Sequence, residues 1–392
     1  MPTPVIVSAV RTAIGRSFKG SLVNTPSEKL ATWILEAAVT RSGLAPEKFD
    51  DVIFAELNYG GGDLARHAAV AAGYEHLPGQ AVNRHCAGSL TAIGNASAQI
   101  VSGMERAIVA GGVQSLSTAP LMKWRVPKAG EFNFVEPWMP QSHPETPDAP
   151  TLDMAITVGW NTAQKAGITR EEMDAWAVRS HERAIAAIDE GRFAGEILPI
   201  KVELADGSIT EFAVDEFPRR GTTIEALAGL KVLHPEIEGF SITAGNSSGI
   251  NDAAAAVAIV GDDLATAEGL ESLATVKAWG ASALAPRDTG FGAVAVIGKI
   301  LDRAGLKASD VALWEINEAF ASVPIAACRE YGIDEELVNI SGSGCSLGHP
   351  ISASGARQVT TLINDLRRRG GGIGVSAMCA GGGQGGAVVI EV

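Results

Sequence analysis

The chain has 392 residues, with 45 acidic against 31 basic side chains and a net charge of −14. At about 150 residues per domain there is room for two or three domains, and a chain this long buries a core without disulfides or a structural metal. Hydrophobic residues at 46% and charged residues at 19% exclude a disordered chain, and so acidic a surface disfavours nucleic acid and anionic lipid as partners. An anionic small ligand would need a local basic patch. No apolar run reaches the ~18 residues of a membrane span, and the start MPTPVIVSAVRTAIGR lacks a signal-peptide pattern. A reducing cytosol is the expected compartment. The four cysteines, Cys86, Cys328, Cys345 and Cys379, form no C-x-x-C pair, so no zinc ribbon or redox pair is expected and no metal site is predicted.

Apolar runs predict strands at 5–10, 52–56, 107–111, 254–260, 311–316, 374–378 and 387–390. Helical spacing predicts helices at 30–41, 87–102, 170–191, 290–304 and 355–369. Strands alternating with helices predict an α/β fold with mostly parallel pairing. An internal repeat runs through this order. Gly43-Leu44 precedes Asp51-Val52-x-x-x-Glu56-x-Asn58, and Gly305-Leu306 precedes Asp310-Val311-x-x-x-Glu315-x-Asn317. Each is followed by a Val-Asn pair, Val82-Asn83 or Val338-Asn339, then by a cysteine-containing turn and a long helix. Between the halves, residues 114–246 break the pattern with a stretch rich in proline (Pro127, Pro137, Pro140, Pro144, Pro147, Pro150) that also holds Trp124 and Trp138. Proline excludes that stretch from central strands and helix interiors, so a lid or an oligomer contact is expected there.

Four motifs carry candidate chemistry. Asn83-Arg84-His85-Cys86-Ala87-Gly88-Ser89 puts Cys86 at a helix N-terminus, where free N–H groups and the helix dipole favour a thiolate. The dipole is worth ~0.3–1 kcal/mol, less than one pKa unit, so activation also needs a base nearby. A small buried apolar cysteine is the alternative for this turn standing alone. Gly342-Ser343-Gly344-Cys345-Ser346-Leu347-Gly348-His349-Pro350 holds a histidine rigidly in a glycine-rich turn, with a locally satisfied histidine as the alternative. Cys379-Ala380-Gly381-Gly382-Gly383-Gln384-Gly385-Gly386 lets a ligand or a second backbone approach closely, or is simply a hairpin before the last strand. Asn317-Glu318-Ala319-Phe320-Ala321 places Asn317 at a strand end, ready to hold a water or an oxyanion, or to cap a helix.

With Ala9-Val10-Arg11-Thr12 and the run from Thr243 through Asn251-Asp252, these motifs make the chain resemble the thiolases, of the acetyl-CoA acetyltransferase or 3-ketoacyl-CoA thiolase kind, from end to end. The resemblance implies a layered α-β-α-β-α sandwich of two duplicated core domains, 1–113 plus 247–270 and 271–392, with 114–246 as an inserted loop domain. It implies Cys86 as the nucleophile that carries the acyl group and His349 as the base that activates it. Cys379 becomes the cysteine that moves the α-carbon proton, and Asn317 the holder of a water that forms an oxyanion site with His349. The N–H groups of Cys86 and Gly381 form the second oxyanion site. Ser248, Arg219, Arg220 and Lys231 are implied as contacts for coenzyme A, which is a substrate; no permanently bound cofactor is implied. Acyl-CoA is the implied partner, with a homodimer or homotetramer as the assembly and residues 124–150 as a contact or lid.

The chain departs from the family pattern at Ala87-Gly88-Ser89, at Cys345-Ser346, at Ser352 and in the run Met154-Ala155-Ile156-Thr157-Val158-Gly159, which lines the expected acyl pocket. The nearest enzymatic rival is a decarboxylating ketoacyl synthase, which shares the fold but uses no second reactive cysteine. A non-catalytic acyl-CoA-binding scaffold is the non-enzyme rival, and it has no physical need for Cys86, His349 and Cys379 together.

Overall fold

The computed structural model describes residues 1–57, 59, 63–128, 131–138 and 141–392, without the side chains of 124 and 126–138. Asn58 of the repeat and Pro140 of the proline-rich stretch lie outside the described residues. The first half supplies strands β1 (Pro4–Thr12), β2 (Asp51–Glu56), β3 (Gly79–Val82), β4 (Ala107–Gln114) and β5 (Asn251–Gly261). The second supplies β6 (Ala274–Ala283), β7 (Leu313–Ile316), β8 (Ile373–Ala380) and β9 (Gln384–Glu391). The long helices are α1 (Ser27–Ser42), α2 (Gly88–Ser102), α3 (Arg170–Asp189), α4 (Phe291–Ala304) and α5 (Ser354–Arg368).

Strand order makes the duplication visible. The first half reads β3-β2-β4-β5-β1 and the second β7-β8-β9-β6. In both, one parallel pair (β2 with β4, β7 with β8) is followed by two antiparallel ones (β4-β5 and β5-β1; β8-β9 and β9-β6). Even the parallel β2-β3 pair has a counterpart, a single bridge from Trp314 to Val338. The two half-sheets join edge to edge through the pairs Val5 with Thr275 and Ile6 with Ala274.

The expectation of mostly parallel pairing is therefore corrected to a mixed sheet. A parallel neighbour needs a crossover of a dozen or more residues, whereas β8 turns into β9 through Gly381–Gly383 as a hairpin. In the first unit β5 returns only after the insertion, yet it too pairs antiparallel with β4.

Side-chain alternation fixes the layers. Ile53, Ile108 and Ala110 of the first half and Leu313, Val388 and Ile390 of the second face one shared core with Leu90 and Ile93 of α2 and Val359 and Leu362 of α5. The alternate residues Val52, Phe54 and Val109 face α1, while Trp314, Val375 and Val389 face α4. The result is helix, sheet, central helix pair, sheet, helix. The repeated Gly-Leu pairs have a local cause. Gly43 and Gly305 end α1 and α4 in the left-handed region, at φ 73° and 67°, which suits a residue with no Cβ.

The insertion carries a hairpin, Met122–Lys128 with Glu131–Trp138, separate from the large sheet, so the proline-rich stretch does hold strands, though none of them central. A π-helical turn at Ala155–Trp160 follows, then α3, started by a Thr169–Glu172 capping box. Ile197–Leu198 adds beside Arg11 and Thr12 of β1. There the buried Arg11 guanidinium binds Glu196 at 2.6 Å and Asp215 at 2.8 and 2.9 Å, tying the insertion to the core.

Candidate active site

The N-termini of the two central helices meet. The Ser89 hydroxyl of α2 accepts from the Ala356 N–H of α5 at 3.0 Å, and Gly355 leaves no room for a side chain against Leu90 and Ser89. The turns preceding these helices hold Cys86 and His349. Cys86 is partly exposed to solvent. Burial of the sulfur pushes its thiol up to about 11, while the N–H groups of Gly381 and of Cys86 itself point at it and pull the other way. The helix terminus therefore does not win by itself: at neutral pH the group is a thiol, and a thiolate forms only when a base removes the proton. Two N–H groups converging on one sulfur also suit an oxyanion born on a carbonyl attached to it.

Cys379 ends β8, buried at 1% exposure. Its thiol is raised first by burial and then by the charge of Cys86, which puts both sulfurs in one electrostatic neighbourhood. Cys328 and Cys345 are also buried and raised; the Cys345 Sγ lies 3.8 Å from the Glu318 carbonyl.

His349 is held from both sides. Its N–H donates to Asn251 Oδ1 at 3.0 Å. Gly348 sits at φ 106° with the Asn251 amide where a Cβ would go, so no side chain fits there. The Ser354 hydroxyl donates to the Pro350 carbonyl at 2.9 Å and lies 2.6 Å from His349 Nδ1. With its proton on the Pro350 carbonyl, the hydroxyl accepts from Nδ1 and leaves Nε2 its lone pair, the tautomer that a base beside a thiol needs. Burial, helped by the positive charge of Arg357, lowers the imidazole to about 3, so it is a neutral base at pH 7.

Asn317 stands at the end of β7, its N–H bonded to the Ala377 carbonyl at 3.0 Å. Its Nδ2 is 3.4 Å from both nitrogens of His349, resting against the ring rather than on one lone pair. Its Oδ1 is buried without a partner among the described residues. Such an acceptor calls for a water or a ligand donor. The neighbouring Glu318 is fully satisfied, accepting from Trp176, Asn339, Ser180 and the Cys345 N–H at 2.7–3.0 Å.

Of the basic cluster, Arg219 and Arg220 line one pocket with His181, Phe217, Leu227, Ala244 and Gly245. Arg220 also forms an exposed ion pair with Asp189. Neither Lys231 nor Ser248 lines that pocket: Lys231 is exposed, and the Ser248 N–H bonds the Ala319 carbonyl at 2.9 Å beside the Asn317 loop. Among the described residues no three His, Cys, Asp or Glu side chains are grouped to hold a metal ion.

This constellation can be set beside known proteins. Residues 4–263 match the family model for the thiolase N-terminal domain, and residues 270–392 that for the thiolase C-terminal domain. The chain belongs to the thiolase family. Similar relatives include the acetyl-CoA acetyltransferases of Escherichia coli (strain K12), 38% identical, and of Pseudomonas aeruginosa, 39% identical; each alignment covers 100% of this chain and 99% of the relative. The crystal structure of the Bacillus anthracis acetyl-CoA acetyltransferase superposes with a TM-score of 0.91 at 35% identity, over 100% of this chain and 99% of that one. The chain is thus an acyltransferase of thiolase architecture.

Sequence reasoning missed three residues that position this thiolase site: Ser354, Asn251 and Glu318. Asn251 and Glu318 lay inside motifs already singled out, and Ser354 follows His349 by five residues at a helix start. Their partners are remote in sequence or set by the turn, so only the fold reveals what they hold. The departures are accommodated: Ser352 Oγ bonds Gln114 at 3.1 Å, and Ser346 Oγ lies 2.7 Å from Ser180 Oγ.

Proposed function

We propose that this thiolase transfers acyl groups reversibly through a thioester on Cys86, cleaving acetoacetyl-CoA or longer 3-ketoacyl-CoA with coenzyme A and condensing acyl-CoA with acetyl-CoA in reverse. The observation that carries the reading is the meeting at Cys86 of two N–H donors, with a second buried cysteine charge-coupled to it. In this reading, in the condensing direction, His349 Nε2 takes the thiol proton as the sulfur attacks the thioester carbonyl, and the coenzyme A thiolate leaves with the proton of the Cys379 thiol. The N–H groups of Cys86 and Gly381 hold the resulting oxyanion. Cys379, left as a thiolate by that transfer to coenzyme A, takes the α-carbon proton of the second acyl-CoA; a thiolate that burial destabilises is basic enough for so weak an acid, and cleavage runs the same steps backwards. Asn317, through a water on its unpartnered Oδ1, forms the site for the enolate oxygen with His349, whose Nε2 still carries the proton taken from Cys86 and donates it as a hydrogen bond until that proton returns to the departing sulfur.

Arg219 and Arg220 are proposed to meet the phosphates of coenzyme A, supported by their shared pocket, with Ser248 and Lys231 as further contacts. Residues 1–113 with 247–270 and 271–392 are taken as the two core domains and 114–246 as the loop domain, a division supported by the matched strand orders. Coenzyme A is a substrate, with no resident cofactor, and the setting is the cytosol. A dimer is proposed because β3 is the sheet's edge strand with Gln80 and Ala81 exposed; light scattering that finds a monomer at micromolar concentration would overturn it.

The ketoacyl synthase reading leaves Cys379 unexplained, and the scaffold reading leaves the whole set unexplained. Purified protein assayed for coenzyme-A-dependent cleavage of acetoacetyl-CoA and longer 3-ketoacyl-CoA, and for condensation of acetyl-CoA, tests the reading; absence of both activities sinks it.

A further inference from the structure

His85, the residue before the nucleophile, is unexplained by the chemistry above. It is one of three non-glycine residues at positive φ among the described residues, at 46°. That conformation is held by its N–H bonding Asn83 Oδ1 at 2.9 Å and by its carbonyl accepting from the Gly88 N–H at 3.0 Å. Strain at a non-glycine residue next to a nucleophile asks for a reason. The consequence of the strain is where the ring goes. A Cβ built on Gly381 would lie 3.3 Å from His85 Cγ and 3.5 Å from its Nδ1, so the imidazole lies flush against the residue whose N–H points at Cys86 Sγ.

The next residue of that turn, Gly382, has the Ser142 carbonyl in the space of its missing Cβ, at 3.0 Å. One side of the turn is therefore walled by His85 and the Ser142–His143 segment. His143 uses both nitrogens, Nδ1 with Ser142 Oγ at 2.8 Å and Nε2 on the Ala149 carbonyl at 2.9 Å. The His85 ring is half-buried and makes no hydrogen bond among the described residues. Burial and the neighbouring His143 lower its pKa, so it is neutral at pH 7, with one N–H to donate. An aliphatic acyl chain has no use for that donor and would bury it unpaired.

Resting on the thiolase reading, we propose that His85 is a specificity-determining residue that donates a hydrogen bond to an oxygen carried on the acyl chain, so that the preferred 3-ketoacyl-CoA has a polar rather than purely aliphatic acyl group. With the acyl oxygen held by the Gly381 N–H, the acyl carbon sits beside the turn that the His85 ring packs against, which brings a chain substituent on that side within reach of the ring. The oxygen can belong to a carboxylate or to a hydroxyl, which the two substrate arms below separate. A carboxylate would raise the imidazole's pKa on binding and take up a proton, so its KM would rise with pH above neutrality; a hydroxyl would show no such trend.

The test compares kcat/KM for 3-ketoacyl-CoA thioesters of equal chain length ending in methyl, hydroxyl or carboxylate, on the wild type, His85→Leu and His85→Gln. Leu and Gln suffer the same backbone cost at this φ, so the difference between them reads the hydrogen bond alone. The wild type should favour one oxygen-bearing chain over the methyl chain by about 10-fold or more, His85→Leu should abolish or reverse that ratio, and His85→Gln should restore part of it. Equal rates on all three chains in the wild type, or a ratio unchanged in His85→Leu, would overturn the proposal. Wild-type cleavage of acetoacetyl-CoA in the same series reports separately on the thiolase reading, since that substrate is too short to use the donor.

Discussion

At Cys86 two opposing effects meet, and their sizes decide the resting state. Helix-terminal N–H groups stabilise a thiolate by roughly 1 kcal/mol, but burial moves the group further the other way, to about 11. His349 is displaced down to about 3, so the pair rests as neutral thiol and neutral imidazole. The base form of His349 then persists well below the ordinary imidazole range. Single-turnover acylation of Cys86 should stay level from pH 7 down to about 5, where a free imidazole with pKa ~6.5 is mostly protonated; an acid limb centred near 6.5 would contradict this. Ser354→Ala removes the acceptor that holds the Nδ1 hydrogen. It should slow acylation by ~10-fold through loss of the productive tautomer, with Ser354→Thr restoring most of it. The two cysteines separate by reaction. Cys86→Ala should abolish both acyl exchange and condensation. Cys379→Ala should keep radiolabel from acetyl-CoA on the denatured protein but lower condensation and thiolysis by ~10²–10⁴-fold, the contribution of one placed acid–base group. The double variant should be little worse than Cys86→Ala alone. Full condensation in Cys379→Ala, or label retained by Cys86→Ala, would show these roles to be wrong.

Turns between elements do the positioning, and two glycines illustrate how differently they act. Gly305 ends α4 at φ 67° with nothing within 4 Å of a built Cβ. Gly305→Ala should cost only the backbone penalty of ~1–2 kcal/mol, read as a lower urea midpoint at constant slope, with unchanged turnover per folded molecule. Gly348, at φ 106°, meets both the backbone penalty and the Asn251 side chain that bonds the His349 N–H. Gly348→Ala should therefore lose activity by ~10²-fold in the fraction that folds, because it displaces the proposed base rather than merely straining a turn. Turnover equal to wild type would remove Gly348 from the positioning of His349. The elements themselves were largely legible: all seven predicted strands and all five predicted helices lie on real ones, because apolar runs and 3.6-residue spacing are local signals. Strand direction was not, because whether β8 meets β9 parallel or antiparallel depends on a three-glycine turn and not on the strands' composition. Nor was β6, whose Ala-Thr-Val-Lys-Ala-Trp run carries too few large apolar residues to stand out.

Across the whole molecule, the insertion is fastened to the core by a buried charge cluster. Arg11 on β1 neutralises Glu196 and Asp215, both fully buried side chains of the insertion. Arg11→Met would leave two carboxylates buried without their counter-charge, and should destabilise the protein by ~3–5 kcal/mol at pH 7. The loss should shrink as pH falls and the orphaned carboxylates protonate, which a urea titration at pH 5 and pH 7 would detect; a pH-independent loss would mean that packing, not charge, is at stake. The sequence by itself determined the chemistry available to this protein and its duplicated plan. Which residues are cysteine, histidine and asparagine, and in what order the motifs recur, are covalent facts carried along the chain. Only the tertiary structure decided which groups are charged, which tautomer His349 adopts, how the two half-sheets join at Val5 and Ile6, and that His85 leans on Gly381. Protonation follows burial and neighbouring charge, and both are properties of atoms brought together from segments as much as 300 residues apart, such as Cys86 and Gly381.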